Sequence, residues 1–241
     1  MEQSHPARKR VPPAQTRGVA DELRAFFLHR PAIQTLVSFA SPEEQESYSY
    51  RIPQRLGLDV RGYSVLNLHR IGIEAPVQYV FEELLGWGWQ ASCWPNHVAM
   101  ADRRADEHEH VRIRMLGLRR LGGGRGWRIP PLFDLTALRI QRVPGASDPD
   151  NACYALYACS GGYPIGIFAL YVRSPIAEQG EEEASQFFLG VGFDFYGREK
   201  WRIFHPINRI WETVHNRVTP NVLNRFKALC EWRFERIQAG L

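Results

Sequence analysis

An α+β fold, in which a strongly curved antiparallel β-sheet is followed by one long C-terminal α-helix and preceded by an N-terminal helical extension, is predicted by three observations. Several segments between residues 60 and 196 alternate apolar and polar side chains with a period of two. Turn-forming clusters such as Pro144–Asn151 and Ser160-Gly161-Gly162 separate them at hairpin distances. From Pro206 onward the apolar positions switch to helical spacing.

Residues 1–17 hold Arg8, Lys9, Arg10 and Arg17 against Glu2, with prolines between, and read as a flexible basic arm. Val19 to Arg30 has helical spacing that stops at Pro31. Ser41-Pro42-Glu43-Glu44 supplies a hydroxyl cap, a proline at the first helical position and carboxylates in the first turn, so a second short helix starts there. These two helices make 18–60 an N-terminal helical extension, and 61–241 the main domain.

Gly62 to Glu74 is rich in strand formers. Ala75-Pro76 then opens a helix whose apolar face is Val77, Val80, Phe81, Leu84 and Leu85. A stretch with Trp87, Trp89 and Trp94 follows, read either as a core plug or as a lip that dips into lipid. Over residues 107–117, Val111, Ile113 and Met115 point one way and His108, His110, Arg112 and Arg114 the other, so one face is buried and one is wet. Phe133 to Arg142, Ala152 to Cys159, Pro164 to Arg173 and Gln186 to Tyr196 complete the strands. The terminal helix carries Ile207, Ile210, Trp211, Val214 and Val218. Thr219-Pro220 marks a joint, after which Val222, Phe226, Leu229, Cys230 and Ile237 continue the stripe.

Composition bounds the function classes. A chain of 241 residues with 44% hydrophobic and 12% aromatic residues can fill one sizeable core. Its longest apolar run, Ile165 to Val172, falls far short of the roughly 20 residues that span a bilayer. No apolar stretch follows the basic arm, so no signal sequence is read and a cytoplasmic location is expected. Of the formal net charge of +4, the arm accounts for three, which leaves the remainder nearly neutral and argues against nucleic acid as a partner. The arm itself is read either as a transient electrostatic tether to an anionic membrane or as a tail without a partner. Cys93, Cys153, Cys159 and Cys230 show no C-x-x-C spacing, and reduced thiols are expected.

The stretch His69-Arg70-Ile71-Gly72-Ile73-Glu74-Ala75-Pro76-Val77-Gln78-Tyr79-Val80-Phe81 resembles the opening of the START-like superfamily called SRPBCC. The order of elements over about residues 61–238 matches that superfamily's helix-grip fold. Residues 1–60 have no counterpart in it, and its usual second short helix is not visible around Trp87 to Asp102. The resemblance implies a concave, mostly apolar pocket for a hydrophobic small molecule or lipid. It would be lined by Val111, Ile113 and Met115, by Phe187, Leu189, Val191 and Phe193, and by Trp211, Val214, Val222 and Phe226 on the helix. Alternatively these side chains fill the space themselves.

No other motif names a reaction. His108 and His110 could share a metal with Cys93 or His97, but Arg112 and Arg114 continue the same face, and no metal and no cofactor is expected. Gly122-Gly123-Gly124-Arg125-Gly126 lacks a phosphate-loop lysine and reads as a loop, and Gly190 and Gly192 read as room for a helix packed over a bent strand. Tyr154, Tyr157, Tyr171 and Asp194 are the candidates for acid–base work. No convergent set of titratable residues emerges, so binding is favoured over catalysis. A polyketide cyclase or dehydratase using the same cavity is the alternative, and a closed-core module whose first 60 residues dock a partner is the third reading.

Overall fold

The protein is described by a computed structural model covering residues 28, 30–44, 47, 65–86, 98–104, 110–115, 118–119, 127–129, 133–140, 152–161, 165–175, 184–193 and 205–240; at some positions inside these elements only the backbone is described. Outside them lie the basic arm, nearly all of the helix expected at 19–30, Trp87, Trp89, Trp94, Cys93, His97, His108, the glycines at 122–126 and Asp194.

The strands are β1 (Val65–Ile73), β2 (Val98–Arg104), β3 (His110–Met115), β4 (Leu118–Arg119), β5 (Trp127–Ile129), β6 (Phe133–Ile140), β7 (Ala152–Gly161), β8 (Ile165–Arg173) and β9 (Ser185–Phe193). Helix α1 is Val77–Gly86 and α2 is His205–Gln238. Among the described residues, seven strands form one antiparallel sheet in the order β1-β9-β8-β7-β6-β3-β2, and β4 pairs with β5 separately. The fold is α+β, with the first strand set beside the last.

Strand β2 has no counterpart in the sequence reading. Its Val98-Ala99-Met100-Ala101 start is poor in β-branched residues, and a register shift between Val98 and Met100 breaks the alternation that would have revealed it. The alternation over 107–117 does become β3. In the backbone register Arg112 stands across from Asp102 on one side, and Arg114 across from Asp134 on the other.

Helix α1 buries Val77, Val80, Phe81 and Leu84, the face its spacing dictates, and runs over β7, β8 and β9. Its first turn is closed by Val80 N–H donating to Pro76 O at 3.0 Å. Helix α2 lies along β1 and is continuous through Pro220, which corrects the expected joint. The proline removes only one backbone N–H, and the Asn224 side chain donates to Pro220 O at 2.7 Å, which helps carry the backbone past the interruption. Two positions of the expected stripe face outward: Ile210 and Ile237 are exposed, while Leu223, Phe226, Leu229 and Cys230 form the buried seam.

The core sits where α1, α2 and the ends of β1, β7, β8 and β9 meet. Phe187 and Phe226 pack edge to face there, with centroids 5.9 Å apart. The central strands are buried on both faces: Phe188, Leu156, Ala169 and Leu68 on the side away from the helices are all nearly inaccessible.

Polar clasps hold α2 in place. Lys227 Nζ donates to Gly72 O at 2.7 Å and pairs with Glu231 at 2.6 Å. Glu231 in turn accepts from Glu74 N–H at 2.9 Å, so one turn of helix grips the end of β1 by its backbone. Arg233 pairs with Glu83 of α1 at 2.6 Å.

The N-terminal segment is not helical throughout. Residues 42–44 are, with Ser41 Oγ accepting from Glu44 N–H at 3.1 Å as the cap expected there, and Glu44 reaching back to Ala40 N–H at 2.8 Å. Before that turn the chain runs beside β1: Leu36 bridges to His69, Val37 N–H donates to Leu68 O at 2.9 Å and Arg70 N–H to Thr35 O at 2.7 Å. Asn224 of α2 receives Ile33 N–H at 3.0 Å and donates to Ile33 O at 2.8 Å.

Because Glu231 is only 2% exposed, its loss removes a buried carboxylate that pairs with the Lys227 ammonium and accepts from the Glu74 N–H. Glu231→Ala is expected to lower the unfolding free energy by about 2–3 kcal/mol, the Lys227 end being partly hydrated. Urea denaturation at pH 7 measures it, and a loss below about 0.5 kcal/mol would mean that the clasp contributes nothing.

Candidate functional site

Register decides which side chains share the surface under the helices. One row across the sheet is Ile71, Phe187, Val172 and Cys153; the next is His69, Leu189, Leu170 and Ala155. A third is Asn67, Val191, Phe168 and Tyr157. Further along the sheet, positions 159, 137 and 111 align, as do 161, 135 and 113. The same backbone face therefore carries positions 111, 113 and 115 together with 187, 189, 191 and 193. The side chains of Val111, Ile113, Met115, Phe193 and Trp211 lie outside the described residues.

This surface changes character along its length. Beneath α1 it is solid, with Phe187, Val172, Cys153 and Phe226 buried. Towards the first half of α2, Leu189, Leu170 and Phe168 remain half-buried although they sit on interior strands, and Val214 and Val222 of α2 are half-buried as well. Val191 between them is buried.

Where β1 meets α2, the apolar row gives way to a polar cluster, which overturns the expectation of no convergent titratable groups. Asn67 Nδ2 donates to Glu212 Oε1 at 3.2 Å and to Asn216 Oδ1 at 3.0 Å. His69, fully buried, has Nδ1 3.0 Å from Thr35 Oγ1. Its ring meets that of His215 edge-on, with centroids 5.8 Å apart, and the His215 ring is held 3.0 Å from Thr219 Oγ1. Among the described residues, His69 Nε2 has no hydrogen-bond partner. Burial pushes the His69 imidazole down to about 4, an effect that Asn216 opposes by favouring the charged ring. At neutral pH the ring is uncharged.

The signal for this cluster lies in the sequence. Asn67 and His69 keep the parity of Ile71 and Ile73, so a strand that buries the isoleucines buries the polar pair too. On α2, Glu212, His215, Asn216 and Thr219 follow at helical spacing. Tracking only apolar residues passes over both.

The other sequence candidates fall elsewhere. Tyr154 and Tyr171 pair across β7 and β8 on the face away from the helices, beside Phe188, while Tyr157 faces the helices and stacks on Phe168 at 4.5 Å. Gly190 also lies on the far face, where an added Cβ would meet Ala169 and Leu68 only at ordinary contact distance, so helix packing is not what selects glycine there. Among the described residues Cys153, Cys159 and Cys230 form no disulfide, and the Cys230 thiol is pushed up by burial and by Glu83. Among the described residues no group of three His, Cys, Asp or Glu could hold a metal, and no helix is long and apolar enough to cross a membrane.

No family model matches the chain, and no curated protein matches it in sequence. Among solved structures, it is similar to XoxI from Bacillus cereus, at 8% identity and a TM-score of 0.40 over 68% of this chain and 93% of that one. It is also similar to the di-domain ARO/CYC StfQ from the steffimycin biosynthetic pathway, at 12% identity and a TM-score of 0.45 over 80% of this chain and 57% of that one. A conserved protein from Geobacillus kaustophilus matches at 12% identity and a TM-score of 0.32, over 71% and 97% of the two chains. Similarity at this level assigns no activity.

The depressed His69 has a consequence for stability against pH. Its folded value of about 4 lies below the ordinary 6.5, so between those limits the unfolded chain takes up a proton that the folded chain refuses. Stability is therefore full above pH 6.5 and falls as pH drops towards 4, by about 3 kcal/mol from this residue. His69→Gln is expected to flatten that part of the profile in urea denaturation at pH 7, 5.5 and 4.5. An unchanged slope would assign the acid sensitivity to other groups.

Proposed function

We propose that the chain binds a hydrophobic small molecule or lipid between its sheet and its C-terminal helix, in the manner of a helix-grip fold. Residues 61–241 form the binding unit, and the segment from Ile33 to Val37 braces its first strand. The observation that carries this reading is the half-burial of Phe168, Leu170 and Leu189 on the helix-facing side of interior strands, with Val214 and Val222 of α2 half-buried as well. Apolar side chains enclosed by a sheet and a helix yet still accessible are what a guest would cover, each gaining about 25 cal/mol per Å² of apolar surface removed from water. In this reading Leu189, Val191, Phe193, Trp211, Val214 and Val222 contact the guest. Val111, Ile113 and Met115 extend the same wall, and Phe187 with Phe226 forms its packed floor.

An enzyme of the polyketide cyclase or dehydratase kind is the second reading, and one observation favours it. A buried imidazole held neutral at pH 7, as His69 is, stands in the unprotonated form that a general base needs, though its value of about 4 makes it a weak base. Turnover would then be lost in His69→Gln with binding retained, whereas a carrier has no turnover to lose.

Native mass spectrometry with organic extraction, and titration with a fluorescent fatty acid, test the leading reading. Saturable binding is expected, weakened about ten-fold or more by Leu189→Asp or Val222→Asp. No extractable species and no saturable binding across lipid classes would reject it.

A further inference from the structure

We propose that His69 is the polar anchor of the binding surface, its Nε2 pairing with a single neutral oxygen of the guest, a hydroxyl or a carbonyl. The inference rests on the binding reading above and narrows its ligand class from hydrophobic to amphipathic with an uncharged polar group. Geometry carries it. His69 is fully buried, its Nδ1 is committed to Thr35 Oγ1, and among the described residues its Nε2 makes no hydrogen bond. Leaving a buried ring nitrogen unpaired costs roughly 1–3 kcal/mol, and native structures seldom carry that cost without a use for the group. His69 pairs directly across the ladder with Leu189, one of the half-buried side chains of the guest surface, so an oxygen at Nε2 and an apolar body on Leu189 belong to one molecule.

The neighbours define what the anchor accepts. From α2, His215 meets the ring edge-on, Asn216 accepts from the Asn67 amide and also acts on the His69 ring, and Glu212 takes the second amide hydrogen; from the N-terminal segment, Thr35 fixes the other nitrogen. Among these described groups only Glu212 carries a full charge when ionised, and it is negative. With the imidazole neutral, a carboxylate or phosphate guest finds no cation here. A hydroxyl or carbonyl does fit, because Nε2 accepts from an O–H when the ring hydrogen is on Nδ1 and donates to a C=O when it is on Nε2.

Fluorescence titration of the full chain with pyrene, 1-hydroxypyrene and 1-pyrenecarboxylate tests this. The wild type is expected to bind 1-hydroxypyrene about ten-fold more tightly than pyrene and to show no preference for the carboxylate over pyrene. In His69→Phe the ratio between 1-hydroxypyrene and pyrene collapses towards one. If none of the three probes binds, the binding reading itself fails. If pyrene binds and 1-hydroxypyrene gains nothing, or if its advantage survives in His69→Phe, the anchor alone is overturned. Should His69→Phe not fold, 15N-histidine spectra of the unaltered protein decide: 1-hydroxypyrene moves the His69 Nε2 resonance and pyrene does not. An Nε2 shift already that of a hydrogen-bonded nitrogen, and unmoved by the probe, overturns the proposal.

Discussion

The pairing of β1 with β9 joins segments that lie 112 positions apart at their near ends, Ile73 and Ser185, and the rest of the molecule is built on that junction. Strand β1 receives β9 along one edge, the segment from Thr35 to Val37 along the other, and α2 across one face. A strand met from so many directions exposes little: Ile71, Ile73, His69 and Asn67 are all nearly inaccessible. Contacts of such long sequence separation form late and slowly, because closing the intervening loop costs entropy before any burial rewards it. The hairpins β6–β7 and β7–β8 need no such closure, and they give β9 a surface to dock on.

Against that frame the chemistry of the β1–α2 junction is unusual. The lower half of the seam is resolved by apolar packing and by an ion pair whose partners also bind backbone, with Lys227 on Gly72 O and Glu231 on Glu74 N–H. The upper half carries amides, imidazoles and hydroxyls, most of them satisfied by one another and one of them not. A polar network only partly satisfied is less stable than an apolar seam of the same shape. Violations of local packing logic concentrate where a protein has something to bind, and this one borders the accessible stretch of Leu189.

Much of the fold was legible because backbone periodicity needs no tertiary knowledge. The alternation at β3, the turn residues between β6, β7 and β8, and the 3-1-3 spacing of α1 each specify an element locally. What was hidden has specific causes. Strand β2 carries a register shift and few β-branched residues. Pro220 reads as a helix break, yet packing of the flanking turns and the Asn224 side chain hold the helix together. Two-sided burial of β7, β8 and β9 depends on what lies over each face, which alternation along one strand cannot report. The polar cluster was missed for a different reason: its members come from three distant segments, and only the register of β1 brings Thr35, His69 and His215 together.

The run from Ile33 to Val37 gives the strand that anchors everything else a finished border. With Leu68 O and Arg70 N–H occupied, that margin of the sheet offers fewer open hydrogen-bonding groups to a stray chain. A shortened protein beginning at residue 61 would bare those groups and release Asn224 from Ile33. Such a fragment, though it keeps every strand of the sheet, would invite strand-to-strand clumping between molecules, so the leading segment serves as a guard against self-adhesion as much as a brace.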